Sequence, residues 1–134
     1  MATTTTSIIS SFSDLDLNFI AHPVKKDINR LTNEAAIVNS IKNLILTNHY
    51  EKPFQPDIGS NVRRLLFENM DGITATSIEK EIQQTISNYE PRVNISAINV
   101  SADVENNGFT VYMEFFVANN TSPITINFFL ERTR

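Results

Sequence analysis

Three runs of alternating apolar and polar residues fill the C-terminal part of the sequence and restrict its fold more than any other feature. Side chains alternate between the two faces of a strand, so each run predicts a strand with one apolar face. Asn107-Gly108, between the first two runs, is a strong hairpin signal because both residues tolerate positive φ. The pattern predicts an antiparallel meander with inward residues Ile98, Val100, Ala102 and Val104, then Phe109, Val111, Met113, Phe115 and Val117, then Ile124, Ile126, Phe128 and Leu130.

The preceding part of the chain has helical periodicity in three places. A first helix is predicted after Thr32 or Asn33, a second after Ser60 through "NVRRLLFENM", and a third near residues 74–76, where Thr76 and Glu79 have capping-box spacing. Their inward positions are Ile37, Ile41, Leu44 and Ile45, then Val62, Leu65 and Leu66, then Ile78, Ile82, Ile86 and Tyr89. Because helices come first and strands second, we predict an α+β fold, with N-terminal amphipathic helices packed on a C-terminal antiparallel β-meander.

The length of 134 residues suits one domain that buries a core without disulfides or metals. "MATTTTS" opens a small polar run with nothing to bury, so we expect residues 1–12 to form a flexible tail and residues 13–134 a single domain. "SDLDLNFI", residues 13–20, has short alternation typical of an edge strand or an arm.

Charge and hydropathy exclude two classes of partner. A net charge of −4 and a pI near 5.1 argue against nucleic acid, which requires a basic stripe to displace counterions from phosphates. No apolar stretch approaches the roughly 18 residues needed to span a bilayer, and the N-terminus lacks the pattern of a secretion signal. We expect a protein that contacts neither nucleic acid nor membrane.

No motif indicates a catalytic, metal or cofactor site. His22 and His49 lie far apart and have no second ligand type at metal spacing. There is no G-x-S-x-G elbow, and the glycines are too scattered to form a phosphate-binding loop. Glycoside hydrolysis needs only two carboxylates, and Glu90 and Glu68 are candidate acids, but the neighbouring Arg92 suits a carboxylate at Glu90 rather than a general acid. Binding therefore ranks ahead of catalysis.

Glu90, Pro91 and Arg92 stand where the third helical pattern stops. The C-terminus of a helix favours a cation and disfavours a carboxylate, so Arg92 suits this position and Glu90 does not. Pro91 cannot continue a helix and pushes Glu90 toward extended geometry, which would set Glu90 and Arg92 on the same side of the chain. The two residues form either a local ion pair or a two-sign docking point for a partner.

Three aromatic residues, Tyr112, Phe116 and Phe129, fall on the outer phase of the predicted sheet, beside polar residues. Aromatic residues are common on half-buried sheets, so the N-terminal segment or a loop could cover them. Grouped exposed rings also mark partner surfaces, and that alternative stays open.

From residue 52 to residue 100 the chain resembles the sheath-initiator baseplate wedge proteins of contractile phage tails and type VI secretion systems, a family sometimes labelled lysozyme-like. The likeness lies in the order and spacing of K-P-F-x-P-x-x-G, L-F-E-N, T-x-x-x-I-x-x-x-I, and Y-E-P-R followed by V-x-I. Residues 1–29 contribute little to it.

The resemblance implies a structural component rather than an enzyme. It implies six copies around the tail tube, in a virion baseplate or a cytoplasmic contractile injection apparatus, with wedge proteins, sheath subunits and tube proteins as candidate partners. By the same likeness, Glu90, Pro91 and Arg92 would dock on the wedge core, and strands at residues 109–118 and 124–131 would template the sheath by β-augmentation. The alternatives are a peptidoglycan-cleaving enzyme, or an adaptor that binds through Tyr112, Phe116 and Phe129.

Overall fold

A computed structural model describes residues 13–15, 30–32, 34–118 and 120–132. Helices precede a three-stranded antiparallel sheet, which confirms the predicted α+β class. No helix among these residues has both the length and the apolar character to cross a membrane. The elements are β1 (Ser13–Leu15), β2 (Arg30–Thr32), α1 (Glu34–Leu46), α2 (Val62–Leu65), α3 (Gly72–Tyr89), β3 (Val93–Asp103), β4 (Gly108–Val117) and β5 (Ile124–Glu131).

The described residues divide into two compact units, and the division falls between Ser40 and Ile41, inside α1. In the first unit β1 pairs antiparallel with β2, so the strand predicted from "SDLDLNFI" begins as expected, while residues 16–20 and the predicted tail at 1–12 lie outside the described part. Thr32, one of the two predicted caps of the first helix, belongs to β2 instead, a strand that the sequence did not indicate.

The second unit carries the sheet and α3. Asp71, in extended conformation, caps α3, because its Oδ1 accepts the Thr74 N–H at 2.8 Å. The predicted capping box is wrong: the Thr76 hydroxyl donates to the Gly72 carbonyl, one turn inside the helix. The inner face of α3, formed by Ile78, Ile82 and Ile86, is fully buried, and α3 packs against β3.

The helix predicted through "NVRRLLFENM" is only one turn long. It ends at Leu65, and the chain continues in turns to Asp71. Val62 and Leu66 are buried as expected and Leu65 is half-buried. Asn61 holds the N-cap position without a side-chain cap bond, whereas the hydroxyl of the predicted cap, Ser60, accepts the N–H of Val62, the first helical residue, at 3.4 Å.

The sheet has the order β3-β4-β5, with β4 in the centre, as the predicted meander requires. On β4 the inward side chains of Phe109, Val111, Met113 and Phe115 are completely buried, each worth about 2 kcal/mol of transfer free energy. In β3 the register shifts between Ile95 and Ala97, which leaves Ser96 as the extra residue of a β-bulge. The bulge switches the inward phase from odd-numbered to even-numbered residues.

The hairpin between β3 and β4 differs from the predicted Asn107-Gly108 turn. The turn occupies residues 104–107, and of the pair only Asn107 has positive φ, while Gly108 begins β4. Gly108 is required for a different reason: a Cβ there would lie 2.4 Å from the Leu130 carbonyl oxygen and 2.3 Å from the ring of Phe129. The Phe129 ring therefore covers the glycine backbone.

The Asp71 cap gives a pH-dependent prediction. Hydrogen bonds from Thr74, chiefly from its backbone N–H, hold the pKa of Asp71 below its usual value. A group with a lowered folded-state pKa stabilises the fold above its unfolded-state pKa, and that contribution is lost as the pH falls through the folded-state pKa. Asp71→Ala should lower the Tm at neutral pH by about a few degrees, and this difference should shrink below pH 3.8.

Circular dichroism melts across a pH series measure this effect. Thr76→Ala is the matched control, because the Thr76 hydroxyl is exposed and caps no N–H group. Equal losses of Tm in the two variants, or a loss that persists in acid, would contradict the assignment of Asp71 as the cap.

Candidate functional site

The chain reverses from α3 into β3 through a tight turn at Glu90, Pro91 and Arg92. The Glu90 N–H makes the last helical bond, to the Ile86 carbonyl, and the Glu90 carbonyl accepts the Val93 N–H at 3.2 Å. Pro91 occupies the second position of this turn, where its fixed φ is favourable. The position of the turn agrees with the helix end predicted from the sequence.

Glu90 and Arg92 form a two-pronged ion pair within this turn. Arg92 Nε lies 2.5 Å from Glu90 Oε1, and Arg92 Nη2 donates to Glu90 Oε2 at 2.7 Å. The Glu90 side chain is 5% exposed and that of Arg92 is 33% exposed. Of the two alternatives left open, the local ion pair is therefore present. The guanidinium also compensates the negative end of the α3 dipole.

This geometry divides the turn into an inner and an outer part. The Glu90 carboxylate is the buried support, whereas Pro91 is exposed and Arg92 is partly exposed. The Arg92 carbonyl accepts the Ala118 N–H at 2.8 Å, which ties the turn to the end of β4. Any partner at this point would contact the proline ring and the guanidinium, with the carboxylate behind them.

A loop at residues 50–59 braces the end of α3 next to this turn. The Tyr89 hydroxyl and the His49 Nδ1–H both donate to the Asp57 carbonyl, at 2.5 Å and 3.0 Å. Gly59 has φ 141°, and a Cβ there would meet the Thr47 carbonyl oxygen at 2.7 Å. Sequence reasoning did not find these partners, because the bond from Tyr89 joins residues 32 positions apart.

The described residues do not bring the candidates Glu68, Glu90 and His49 together in a reactive site. Both carboxylate oxygens of Glu90 accept N–H groups from Arg92, and Glu68 lies exposed beyond α2. His49 is engaged in its hydrogen bond to the Asp57 carbonyl of the loop, whereas His22 falls outside the described residues. Within the described ranges, no three His, Cys, Asp or Glu side chains are grouped so as to hold a metal ion.

The three outer-face aromatics are not one cluster. Tyr112 and Phe116 lie four residues apart on β4, where Tyr112 is exposed and Phe116 is half-buried. Phe129 stands opposite Thr110, and its ring leans over Gly108, on the side away from Tyr112. The structure thus places all three on the predicted face but separates Phe129 from the other two.

The sheet has two edges, β3 and β5. β4 is paired on both sides, so residues 109–117 have no free ladder to offer, contrary to their expected share in a template. On β5 the direction of the backbone groups follows from one bond: the Arg132 N–H donates to its register partner, the Asn107 carbonyl. Hydrogen-bonded and non-hydrogen-bonded pairs alternate along an antiparallel ladder.

Odd-numbered residues of β5 therefore direct their N–H and C=O groups away from β4. These residues are Thr125, Asn127, Phe129 and Glu131, and their side chains are also the exposed ones. Among the described residues no strand pairs with this side of β5, so the Ile124–Glu131 half of the predicted template has an open ladder there, next to mostly polar side chains.

Comparison with known proteins identifies the family. Residues 32–120 match the profile of the family described as baseplate wedge protein gp25. The baseplate wedge protein gp25 of Enterobacteria phage T4 is 34% identical over 99 residues, which cover 74% of this chain and 75% of the phage protein.

Solved structures share the fold at lower sequence identity. A chain of the anti-feeding prophage baseplate aligns with a TM-score of 0.70 at 17% identity, over 83% of this chain and 89% of that one. A Geobacter sulfurreducens protein, provisionally named as a tail lysozyme, aligns with a TM-score of 0.67 at 20% identity, over 73% and 89%. At such identities these likenesses concern the fold alone. The match to the family profile and the identity to the phage T4 protein show that this chain belongs to the baseplate wedge protein gp25 family.

Proposed function

We propose that this baseplate wedge protein starts sheath polymerisation, offering the open edge of β5 to a strand of a sheath subunit while the turn at Glu90, Pro91 and Arg92 docks on the wedge core. The observation that carries the proposal is the outward ladder at Thr125, Asn127, Phe129 and Glu131. An arriving strand would satisfy these N–H and C=O groups, which is the physical basis of β-augmentation.

The opposite edge is a weaker template. In β3, beyond the bulge, the outward backbone groups belong to even-numbered residues, of which Ile98 and Val100 have half-buried side chains. α3 also packs against this strand. A strand added there would meet the helix, whereas β5 offers exposed side chains and backbone groups together.

The docking half of the proposal rests on the form of the turn. A guanidinium held by two bonds to a buried carboxylate has a fixed direction, so it can present its exposed part to carbonyl or carboxylate groups without losing much side-chain entropy. Pro91 adds a rigid apolar contact beside it. The partner would be a wedge protein, with tube proteins nearby and six copies per baseplate, in a phage tail or a related injection apparatus.

The enzymatic alternative has less support. One protein of similar fold carries a lysozyme name, but Glu90 is engaged by Arg92 and Glu68 is exposed. Purified protein incubated with peptidoglycan should release no soluble fragments. Release that is abolished by Glu90→Gln or Glu68→Gln would favour the enzyme over the initiator.

Strand addition can be tested with a proline at the β5 edge. Asn127→Pro removes one outward N–H without breaking the β4–β5 ladder, so the domain should stay folded while sheath assembly on baseplates is lost. Ala102→Pro is the matched control: by the register of β3, its N–H faces away from β4 on the opposite edge, and its side chain is exposed. Electron microscopy counts sheathed particles. Equal assembly by both variants, with Tm values close to wild type, would contradict addition at β5.

Docking can be separated from stability through the ion pair. Arg92→Ala removes both guanidinium bonds from the buried Glu90 carboxylate and should lower the free energy of unfolding by about 3 kcal/mol. Glu90→Met combined with Arg92→Met removes both charges at similar volume and should stay within about 1 kcal/mol of wild type. If the turn docks on the wedge core, this double variant is folded yet absent from purified baseplates. Normal incorporation of the double variant would reduce the turn to a purely structural role.

A further inference from the structure

Half of the large exposed apolar side chains in the described part of the chain surround one groove. Among the described residues eight such side chains are exposed, and Leu46, Tyr50, Phe67 and Phe129 line the same depression of about 790 Å³. Its walls are the end of α1, the α2 turn and the C-terminal end of β5, all within the second unit. Contiguous exposed apolar surface of this kind marks a contact site more often than scattered residues do.

The charge around the groove is predominantly positive. Arg63 and Arg64 are exposed and line it, and among the described lining residues the carboxylate is that of Glu131. Across the described residues no ion pair or side-chain hydrogen bond engages either guanidinium, whereas Arg92 and Arg132 are both engaged. A ligand that is apolar and acidic would complement this surface, since guanidinium groups bind carboxylates in two-pronged geometry.

The walls of the groove are tied together before any ligand binds. Arg132 Nη2 donates to the Phe67 carbonyl at 3.1 Å and joins the segment after α2 to the end of β5. The Ser60 hydroxyl donates to the Ile45 carbonyl at 2.6 Å and joins the loop to the end of α1. A preformed groove spares a ligand much of the cost of ordering the site.

The groove is also continuous with the open edge of β5. Phe129 and Glu131 line the groove, and both direct their backbone groups outward along that edge. A strand paired with β5 would therefore reach the groove at the Glu131 end. Its next residues would meet the Phe67 ring and the two arginines.

We infer that the groove binds the continuation of the strand that pairs with β5, and that this continuation carries apolar side chains and at least one carboxylate. The inference rests on the proposed strand addition and specifies its partner: an extended segment of another chain, with an apolar and acidic stretch next to its pairing residues. Pairing at a strand edge depends little on the sequence of the added strand, because it uses main-chain groups. The groove would therefore determine which partner segment binds.

Photo-crosslinking in assembled tails tests this directly. Benzoylphenylalanine is incorporated in place of Phe67, in the groove, or in place of Asn127, on the edge, and crosslinked peptides from sheathed particles are identified by mass spectrometry. The expected result is that both positions capture the same partner chain at adjacent segments, and that the segment captured from position 67 contains Asp or Glu beside apolar residues.

The other outcomes separate the two proposals. Capture of a partner from position 127 alone would overturn the groove assignment and leave strand addition standing. Capture from neither position would overturn both. Capture at position 67 of this chain's own residues, of an unrelated chain, or of a segment without carboxylates would overturn the occupant inferred here.

A charge variant gives a second measurement. Arg64→Glu should weaken the affinity of baseplates for sheath subunits about tenfold, because a repulsive charge replaces an attractive one at the contact. Lys80→Glu, an equal charge change at an exposed position of α3, should leave that affinity unchanged. Equal affinities for the two variants, with both folded, would overturn the acidic character assigned to the partner segment.

Discussion

The second unit depends on one buried carboxylate. Glu90 lies at the negative end of α3 with little access to water, where a carboxylate without a partner would be strongly unfavourable. The Arg92 fork removes that penalty, and because the two residues are only two positions apart, their pairing also fixes the path of the chain through Pro91. The turn directs β3 back along α3, and its Arg92 carbonyl holds the end of β4. The ion pair therefore fixes the junction at which helix, turn and sheet meet.

An open strand edge is ordinarily a hazard, and the side-chain composition along β5 limits it. The outward positions of β5 are mostly polar or charged, and an exposed Pro123 precedes the strand. Such residues discourage pairing with arbitrary chains while leaving the backbone groups available. Under the two proposals, the edge would provide general main-chain affinity and the groove would discriminate by side-chain chemistry.

Periodicity predicted most of the fold, because the sheet and α3 are strongly amphipathic. Ile78, Ile82 and Ile86, and the alternation along β4, mark buried faces that the structure confirms. Local sequence signals predicted the ends of the helices less well. Asp71, rather than Thr76, caps α3, because Asp71 stands before the first turn and Thr76 lies inside it.

Features that depend on distant partners could not be derived from the sequence. The Ser96 bulge becomes visible only when the register of β3 and β4 is known. The hydrogen bonds from His49 and Tyr89 to the Asp57 carbonyl join residues that no sequence spacing rule connects. The same holds for the candidate site. Helix-end electrostatics identified the Glu90–Arg92 pair, whereas the separation of Phe129 from Tyr112 follows from where the Phe129 ring leans, which alternation does not specify.

The central position of β4 has a mechanical consequence. A strand laid along β5 would be pulled along its own length, so the load would act across the ladder hydrogen bonds in shear. All bonds of the ladder then share the tension, whereas a load normal to the sheet would open them one after another. Because β4 is bonded along both sides, it would pass the tension on to β3 and from there to the turn at Glu90. If a sheath strand pairs with β5 as proposed, a small sheet arranged in this way would resist the load along both of its ladders.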